Sequence, residues 1–567
     1  MNRSNLIGIV VAIFVSSIGN SAEPIAQLDI VVHNGRIWTG NPAQPEAAAL
    51  GVSHGRIAFV MTAREFEGLP KATWANAKRV IDLQGRRVTP GFYDSHVHVL
   101  GSGRRLSQVA LKDAVDESEF GKRLKHFDQK LPRDRWLLGG EWDHDRTFAG
   151  KLPTAAMLDK YVPSRPVLLR RYDGHMGVAN SSAMKLAGIT EKTADPSGGV
   201  IYRDAAGRPT GLLRDNAMDL IERLIPSPDD LEIAEAVRAA MDEIRQNGVT
   251  SVQDMDGSDS ESRRKLFRIY QELARNGRLS FRVDLRWPLA QWRELASLGA
   301  AANFGNDWVR IGGVKGFVDG SLGSSTAKMF EPYLNEPDSR GVFVTQKAKL
   351  REYILGADSA RLSVAVHAIG DEANASILDI FSDVAKENGL RDRRFRIEHA
   401  QHLRPADIAR FKSLGVIASM QPYHIVDDGR WAEGRIGAGR CASSYANRAL
   451  LDSGAILAFG SDWSVAPLSP LLGIDAAVNR RTLDGKNKDG WYAAQKISVA
   501  EALSAYTIGS AYAAFQERER GVLKPGLFAD FVVISRDILS SDERDHIADT
   551  QVLMTVVNGQ VVFEKTR

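Results

Sequence analysis

Cysteine is almost absent: Cys441 is the single thiol in 567 residues. One cysteine forms no internal disulfide and builds no cysteine-based zinc cage, so stability must come from core burial or from a metal held by other ligands. A surplus of charge is missing too. The chain carries 73 Lys and Arg against 70 Asp and Glu, a formal +3. No basic block or aromatic-basic interleaving stands out, which argues against a nucleic-acid partner. Apolar runs long enough to span a bilayer are lacking, because Leu6 to Ile18 falls short of the roughly 20 residues a crossing helix needs. That run sits between "MNRSN" and "GNSAEPIAQ", the charged, apolar and small-residue succession of a signal peptide over residues 1–22. The expectation is a periplasmic or secreted protein with no stable membrane insertion after cleavage. No G-x-S-x-G elbow occurs and no motif surrounds Cys441, which argues against a serine or thiol nucleophile.

What is present is ordinary globular material, 44% apolar and 25% charged. "LDIVVHNGRIWTG", "ALGVSHGRIAFV" and "RVIDLQGRRV" near the start are β-rich runs folded about N-G, H-G and Q-G turns, and "LKPGLFADFVVIS" and "VLMTVVNGQVVFE" repeat the style at the end. Two or three hairpins alone are marginal, so the ends are expected to combine into one small β-sandwich, residues 23–90 with 519–567. Between them helices alternate with short β-branched runs. Beginning with the run holding His96, these are "GVTSVQDMD", "FRVDLRW", "VRIGGVKGFVDG", "LSVAVHAIGD", "FRIEHAQ", "VIASMQP" and "ILAFGSDW". Eight such runs predict an α/β fold, a (β/α)₈ TIM-like barrel over residues 91–518, with chemistry at the C-terminal strand ends. The stretch of about 100–244 is too long for one crossover and reads as an insertion over the barrel mouth.

His96 and His98 end the first run, His367 the fifth and His399 the sixth, while Asp462 ends the eighth. Residues i and i+2 of a strand share a face, so His96 and His98 aim at one point. Imidazole and carboxylate are ligands that Zn²⁺ and similar ions prefer, and several unpaired polar groups would be costly in one apolar interior. Iron, manganese or cobalt would also suit these ligands. Lys315 on the fourth run is the unusual member; its ordinary reading is a salt bridge to Asp319 or Asp462.

The segments "PGFYDSHVH", "GGVKGFVDGSLGSSTA", "VAVHAIGDEAN", "RIEHAQ", "SMQPYH" and "FGSDWSV" resemble the amidohydrolase superfamily, family 3, in the branch containing N-substituted formamide deformylases. The resemblance runs from about Ile30 to Val562. It implies one or two divalent ions, zinc by preference, with His96, His98 and Asp462 on one and His367 and His399 on a second. It also implies Lys315 carboxylated by CO₂ as a bridging carbamate, with a mononuclear site as the alternative. A metal-activated water would then hydrolyse a non-peptide C–N bond of a small amide, with Asp462 as general base. "RRYDGHMGVANSSAM" resembles the family's D-G-H segment and makes Asp173 and His175 substrate-binding candidates. His424 is a candidate donor to the substrate carbonyl, the other reading being a loop histidine facing water. Trp142, Tyr172, Tyr423 and Trp463 are expected to form an apolar wall. Asp215 stands where relatives commonly carry glutamate. His402, three residues past His399, is a candidate supporting group. Rival readings are a cyclic amide, lactone or phosphoester substrate on the same site, and a noncatalytic periplasmic ligand-binding protein. The partner is a small molecule, and a homo-oligomer is compatible with the sequence.

Overall fold

A computed structural model describes residues 27–171, 176–196, 199–256 and 260–566. The expected signal peptide, residues 1–22, lies outside the described residues, as do Tyr172, Asp173 and His175.

Eight parallel strands form a nearly closed barrel: β1 (Phe92–Val97), β2 (Val249–Asp254), β3 (Arg282–Pro288), β4 (Val309–Phe317), β5 (Val364–Ala368), β6 (Arg396–His399), β7 (Ile417–Met420) and β8 (Leu457–Phe459). Each pairs with its neighbour in chain order. Most of their residues are buried, because a parallel barrel packs one face inward and the other beneath its helices. Closure falls to residues just past β8. Trp463 bridges Val97, the Asp462 N–H donates to the His96 carbonyl at 2.7 Å, and the His98 N–H donates to the Trp463 carbonyl at 2.8 Å. Gly460 makes that approach possible, since a Cβ there would stand 2.5 Å from the His96 nitrogen. Closing the barrel is therefore the same event as bringing Asp462 beside His96.

Two sheets sit beside the barrel. One has four strands, ordered Arg56–Met61, Ala49–Ser53, Ile30–His33 and Arg79–Asp82. The other takes Gln560–Glu564, Val552–Val557 and Phe531–Ile534 from the C-terminal end and Arg87–Pro90, Arg36–Trp38 and Glu46–Ala47 from the N-terminal end. Ile30, Val32 and Leu50 of the first share one core with Val88, Phe531 and Val556 of the second. Only Gly91 separates Arg87–Pro90 from β1, so the shared sheet fixes where the barrel begins.

Between β1 and β2 lies a third sheet of six strands, from Val109–Ala110 to Pro209–Asp215, with its own core around Phe120, Leu137 and Leu169. The helices Val99–Leu106 and Asp230–Gln246 at its two borders join the barrel core through Leu100, Ile233 and Ala236. No helix among the described residues is long and apolar enough to cross a membrane.

Candidate metal centre and substrate cavity

The C-terminal strand ends open on a cavity of about 710 Å³ lined by His96, His98, Lys315, His367, His399, His424 and Asp462. Five imidazoles crowd together there. Ring centroids are 5.5 Å apart for His96 and His98, 5.0 Å for His96 and His399, 4.6 Å for His367 and His399, and 6.2 Å for His399 and His424. Asp462 reaches three of them: its carboxylate oxygens lie 3.6 Å from His96 Nε2, 3.2 Å from His98 Nε2 and 3.7 Å from His424 Nε2.

The backbone explains how neighbours in sequence reach one point. His96 is the last inward residue of β1, and His98 follows where the chain leaves the strand to start the helix Val99–Leu106. Glu398 and His399 are consecutive, so regular alternation would send them to opposite faces. His399 instead has φ 74°, and Asp462 has φ 58°, left-handed conformations that are costly for these residues and typical of functional strand ends.

Outer partners aim the rings. His96 donates through Nδ1 to Glu398 Oε2 at 2.7 Å. Because a carboxylate only accepts, the proton is on Nδ1 and the Nε2 lone pair faces the centre. Glu398, fully buried, is held in turn by the Arg396 guanidinium at 2.5 and 2.9 Å. His367 donates through Nε2 to the Gly320 carbonyl at 3.0 Å, which leaves its Nδ1 lone pair free. His98 Nδ1 stands 3.5 Å from Asp256, itself fixed by the Gly101 N–H at 3.0 Å. A carboxylate or carbonyl behind an inward imidazole is the arrangement that orients metal-ligating histidines.

Protonation follows the same geometry. Burial, reinforced by Lys315, pushes His96 down to about 4 and His367 to about 3. Burial and the neighbouring His367 hold His399 well below the usual range. These three are neutral near pH 7, the form a metal needs. At His98 burial opposes the charge, but Asp256 and Asp462 outweigh it and raise the ring to about 9, so metal binding there must release a proton. At Asp462 burial is likewise outweighed by the imidazoles, led by His98, which keep the carboxyl well below its ordinary value.

The donor set fits a divalent ion. His399 Nδ1 and His424 Nε2 are buried without a hydrogen-bond partner, a costly state for a polar atom unless something else occupies its lone pair or proton. Ligand atoms of His96, His399 and Asp462 all lie within 4.8 Å of one another. This grouping crosses the division the resemblance implies, which places His399 with His367 and apart from Asp462.

Other candidates sort differently. Tyr423 and His424 line the cavity, and so does Lys112 from the insertion. Trp142 corrects an expectation. It is fully buried at the end of the strand Leu137–Trp142, donates its indole N–H to the Leu169 carbonyl at 2.9 Å, and belongs to the insertion core, so it has no face toward substrate. Trp463, buried at the barrel closure, is likewise not part of the wall. Lys315 makes neither salt bridge read for it: among the described residues no carboxylate comes within 4 Å of its ammonium, which lies 5.0 Å from the Phe317 ring centroid. His402 is buried against Ser444 Oγ at 2.6 Å. Asp215 ends the strand Pro209–Asp215, and its side chain is outside the described set. Sequence reasoning passed over Glu398, Arg396 and Asp256. Arg396 and Glu398 did carry a signal, opposite charges at i and i+2 on one face of a buried strand.

Residues 79–563 match the amidohydrolase family. The chain belongs to that family. This amidohydrolase is 39% identical over 542 residues to Protein LONG AFTER FAR-RED 3 of Arabidopsis thaliana, covering 94% of this chain and 91% of the plant protein. It is 26% identical over 558 residues to N-substituted formamide deformylase of Arthrobacter pascens, covering 95% and 99% of the two chains. An uncharacterized metal-dependent hydrolase from Pyrococcus horikoshii OT3 superposes with a TM-score of 0.74 at 30% identity, over 91% of this chain and 99% of that one. The amidohydrolase is thus a metal-dependent hydrolase built on a TIM-type barrel.

Proposed function

We propose that this amidohydrolase hydrolyses a non-peptide C–N bond of a small amide, an N-substituted formamide or another N-acyl compound. The observation that carries the reading is the convergence of five imidazoles and Asp462 on one cavity. The full-length likeness to an N-substituted formamide deformylase supports the choice of bond. One or two divalent ions, zinc by donor preference, would be held by His96, His98, His367, His399 and Asp462, and would supply Lewis-acid polarisation and water of lowered pKa.

The chain's own groups then have distinct tasks. Asp462, kept ionised by its imidazole neighbours, accepts the proton of the attacking water and returns it to the leaving nitrogen. His424, whose Nε2 is buried without a partner, donates to the substrate carbonyl oxygen as negative charge develops there. Tyr423, Phe317 and Val465 line the outer cavity and receive an apolar substituent. Burial lowers Lys315 to about 8, so part of it is free amine near neutral pH. That amine can add CO₂: an N–C bond forms, an N–H proton leaves to solvent, and an anionic carbamate results. The apolar run Leu6 to Ile18 supports export, with the reaction in the periplasm or outside the cell.

A size-matched panel of N-substituted formamides, N-acetyl amines, cyclic amides, lactones and phosphoesters tests the bond class. Amine release from the formamides or N-acetyl amines is the expected outcome. Turnover confined to lactones or phosphoesters contradicts it.

A further inference from the structure

Beside the metal cavity lies a second chamber of about 240 Å³, and Lys315 and Phe317 border both. Its lining includes Arg263, Arg286 and Trp287 and, among the described residues, no Asp or Glu. Arg263, on the helix Ser260–Arg275, is 0% exposed, and none of its three guanidinium nitrogens has a hydrogen-bond partner among the described residues. Among the described residues its nearest carboxylate is Asp254, 3.6 Å from Nη1, which outlines no part of the chamber and already accepts from the Tyr270 hydroxyl at 2.8 Å and the Asp256 N–H at 2.9 Å. Arg286, 1% exposed, spends Nη1 on Ser363 and Nη2 on Gln253; its Nε makes no hydrogen bond and has the buried Asp284 carboxylate 3.8 Å away. The Trp287 indole N–H, on a side chain 4% exposed, is unpartnered as well.

Buried donors are rarely left without acceptors, and here several gather around one cavity, the two guanidinium groups having carboxylates behind them only at 3.6 and 3.8 Å, beyond hydrogen-bond distance. We propose that this chamber is a carboxylate-binding site. The Arg263 fork presents parallel N–H groups that match a planar carboxylate, which a spherical halide cannot engage in the same way. Trp287 adds a neutral donor, and Leu289 and Leu350 give an apolar wall for a short alkyl chain. The carboxylate comes either from an acidic arm of the substrate reaching past Lys315 and Phe317, or from a free small acid such as amide hydrolysis releases. The site itself stands on the chamber lining, whereas those two sources rest on the amide reading above.

The test is calorimetric titration of sodium acetate into the full-length metal-loaded protein, against sodium chloride at matched ionic strength. One saturable acetate site is expected, absent for chloride and weakened at least tenfold in both Arg263→Lys and Trp287→Phe. Trp287→Phe removes the unpartnered N–H together with half of the indole but keeps an aromatic side chain and every charge, so it reports, with its fold verified by Tm, even where Arg263→Lys fails to fold. No saturable acetate binding, or binding unchanged in Trp287→Phe, overturns the proposal, the latter because acetate would then be sitting on the metals. Paired substrates with and without a terminal carboxylate separate the sources. A KM rise in Trp287→Phe confined to the carboxylated member identifies the substrate arm. Acetate inhibition that lowers kcat without raising KM for the uncharged member identifies the free acid. Acetate binding without any amide turnover leaves the site standing and removes the amide reading.

Discussion

The two ends of the barrel handle buried charge in opposite ways. At the N-terminal end, Arg282 of β3 is closed on all sides: it donates to Asp530 at 2.8 and 3.1 Å, to Asn558 at 3.1 Å and to the Asp307 carbonyl at 2.8 Å, and it lies over the Phe528 ring. Asp530 and Asn558 belong to the C-terminal sandwich segments, so the charge pins one domain to the other. At the C-terminal end, the imidazoles and Asp462 turn toward a shared space, and His399 and His424 are left short of partners. Charges that satisfy each other hold a structure together, whereas charges aimed at a common point leave room for a ligand. Substitutions at the first end should therefore change stability, and at the second activity.

The largest effect falls on Asp462→Asn. The amide keeps the shape but accepts no proton and is a poorer metal ligand, so kcat/KM should fall about 10⁴-fold, at the upper end for general-base loss, with no drop in Tm once the variant is saturated with metal. Equal losses of both would show that the two ends do not differ. Arg282→Met should do the reverse. It leaves Asp530 buried without its partner, a cost of about 3–5 kcal/mol, so Tm drops by several degrees while kcat/KM of the folded protein stays within about twofold. Glu398→Gln sharpens the boundary, since it touches no substrate but frees the His96 ring. Metal affinity should weaken about 10–100-fold, read by competition with a chromogenic chelator. An unchanged affinity would remove Glu398 from the account.

The smallest effect concerns pH. His402 is buried and neutral, and burial lowers it to about 3 from its ordinary 6.5. Between those values the unfolded chain binds a proton that the folded chain refuses, so stability is complete above about pH 6.5 and declines as pH falls toward 3. His402→Asn should remove up to one proton, about 1.4 kcal/mol per pH unit, from that slope. Urea midpoints at several pH values measure it. Identical slopes would mean that His402 is not charged on acid unfolding.

Much of the contrast was already visible in the chain. The eight barrel runs were legible because buried parallel strands are short and β-branched, and His96, His98 and Asp462 because metal-ligand residue types recur at strand ends. The sandwich strands showed through their N-G and Q-G turns. Glu398 was hidden in plain view beside His399, because only the left-handed turn at His399 lets two consecutive residues reach the barrel axis. Asp256 could not be tied to His98 without knowing how β1 and β2 lie side by side. Trp142 misled because an aromatic at a strand end is as ready to fill the core of an insertion as to wall a cavity. The insertion's six-stranded sheet gave no clear pattern, its strands being short and of mixed direction.

Turnover is expected to depend on a metal held by the convergent imidazoles and Asp462. Dialysis against a strong chelator, with metal content verified by elemental analysis and Tm followed throughout, tests it most directly. The metal-free protein should lose amide turnover and have a lower Tm, with both restored by stoichiometric Zn²⁺ or another divalent ion. Full turnover in a verified metal-free sample would contradict it.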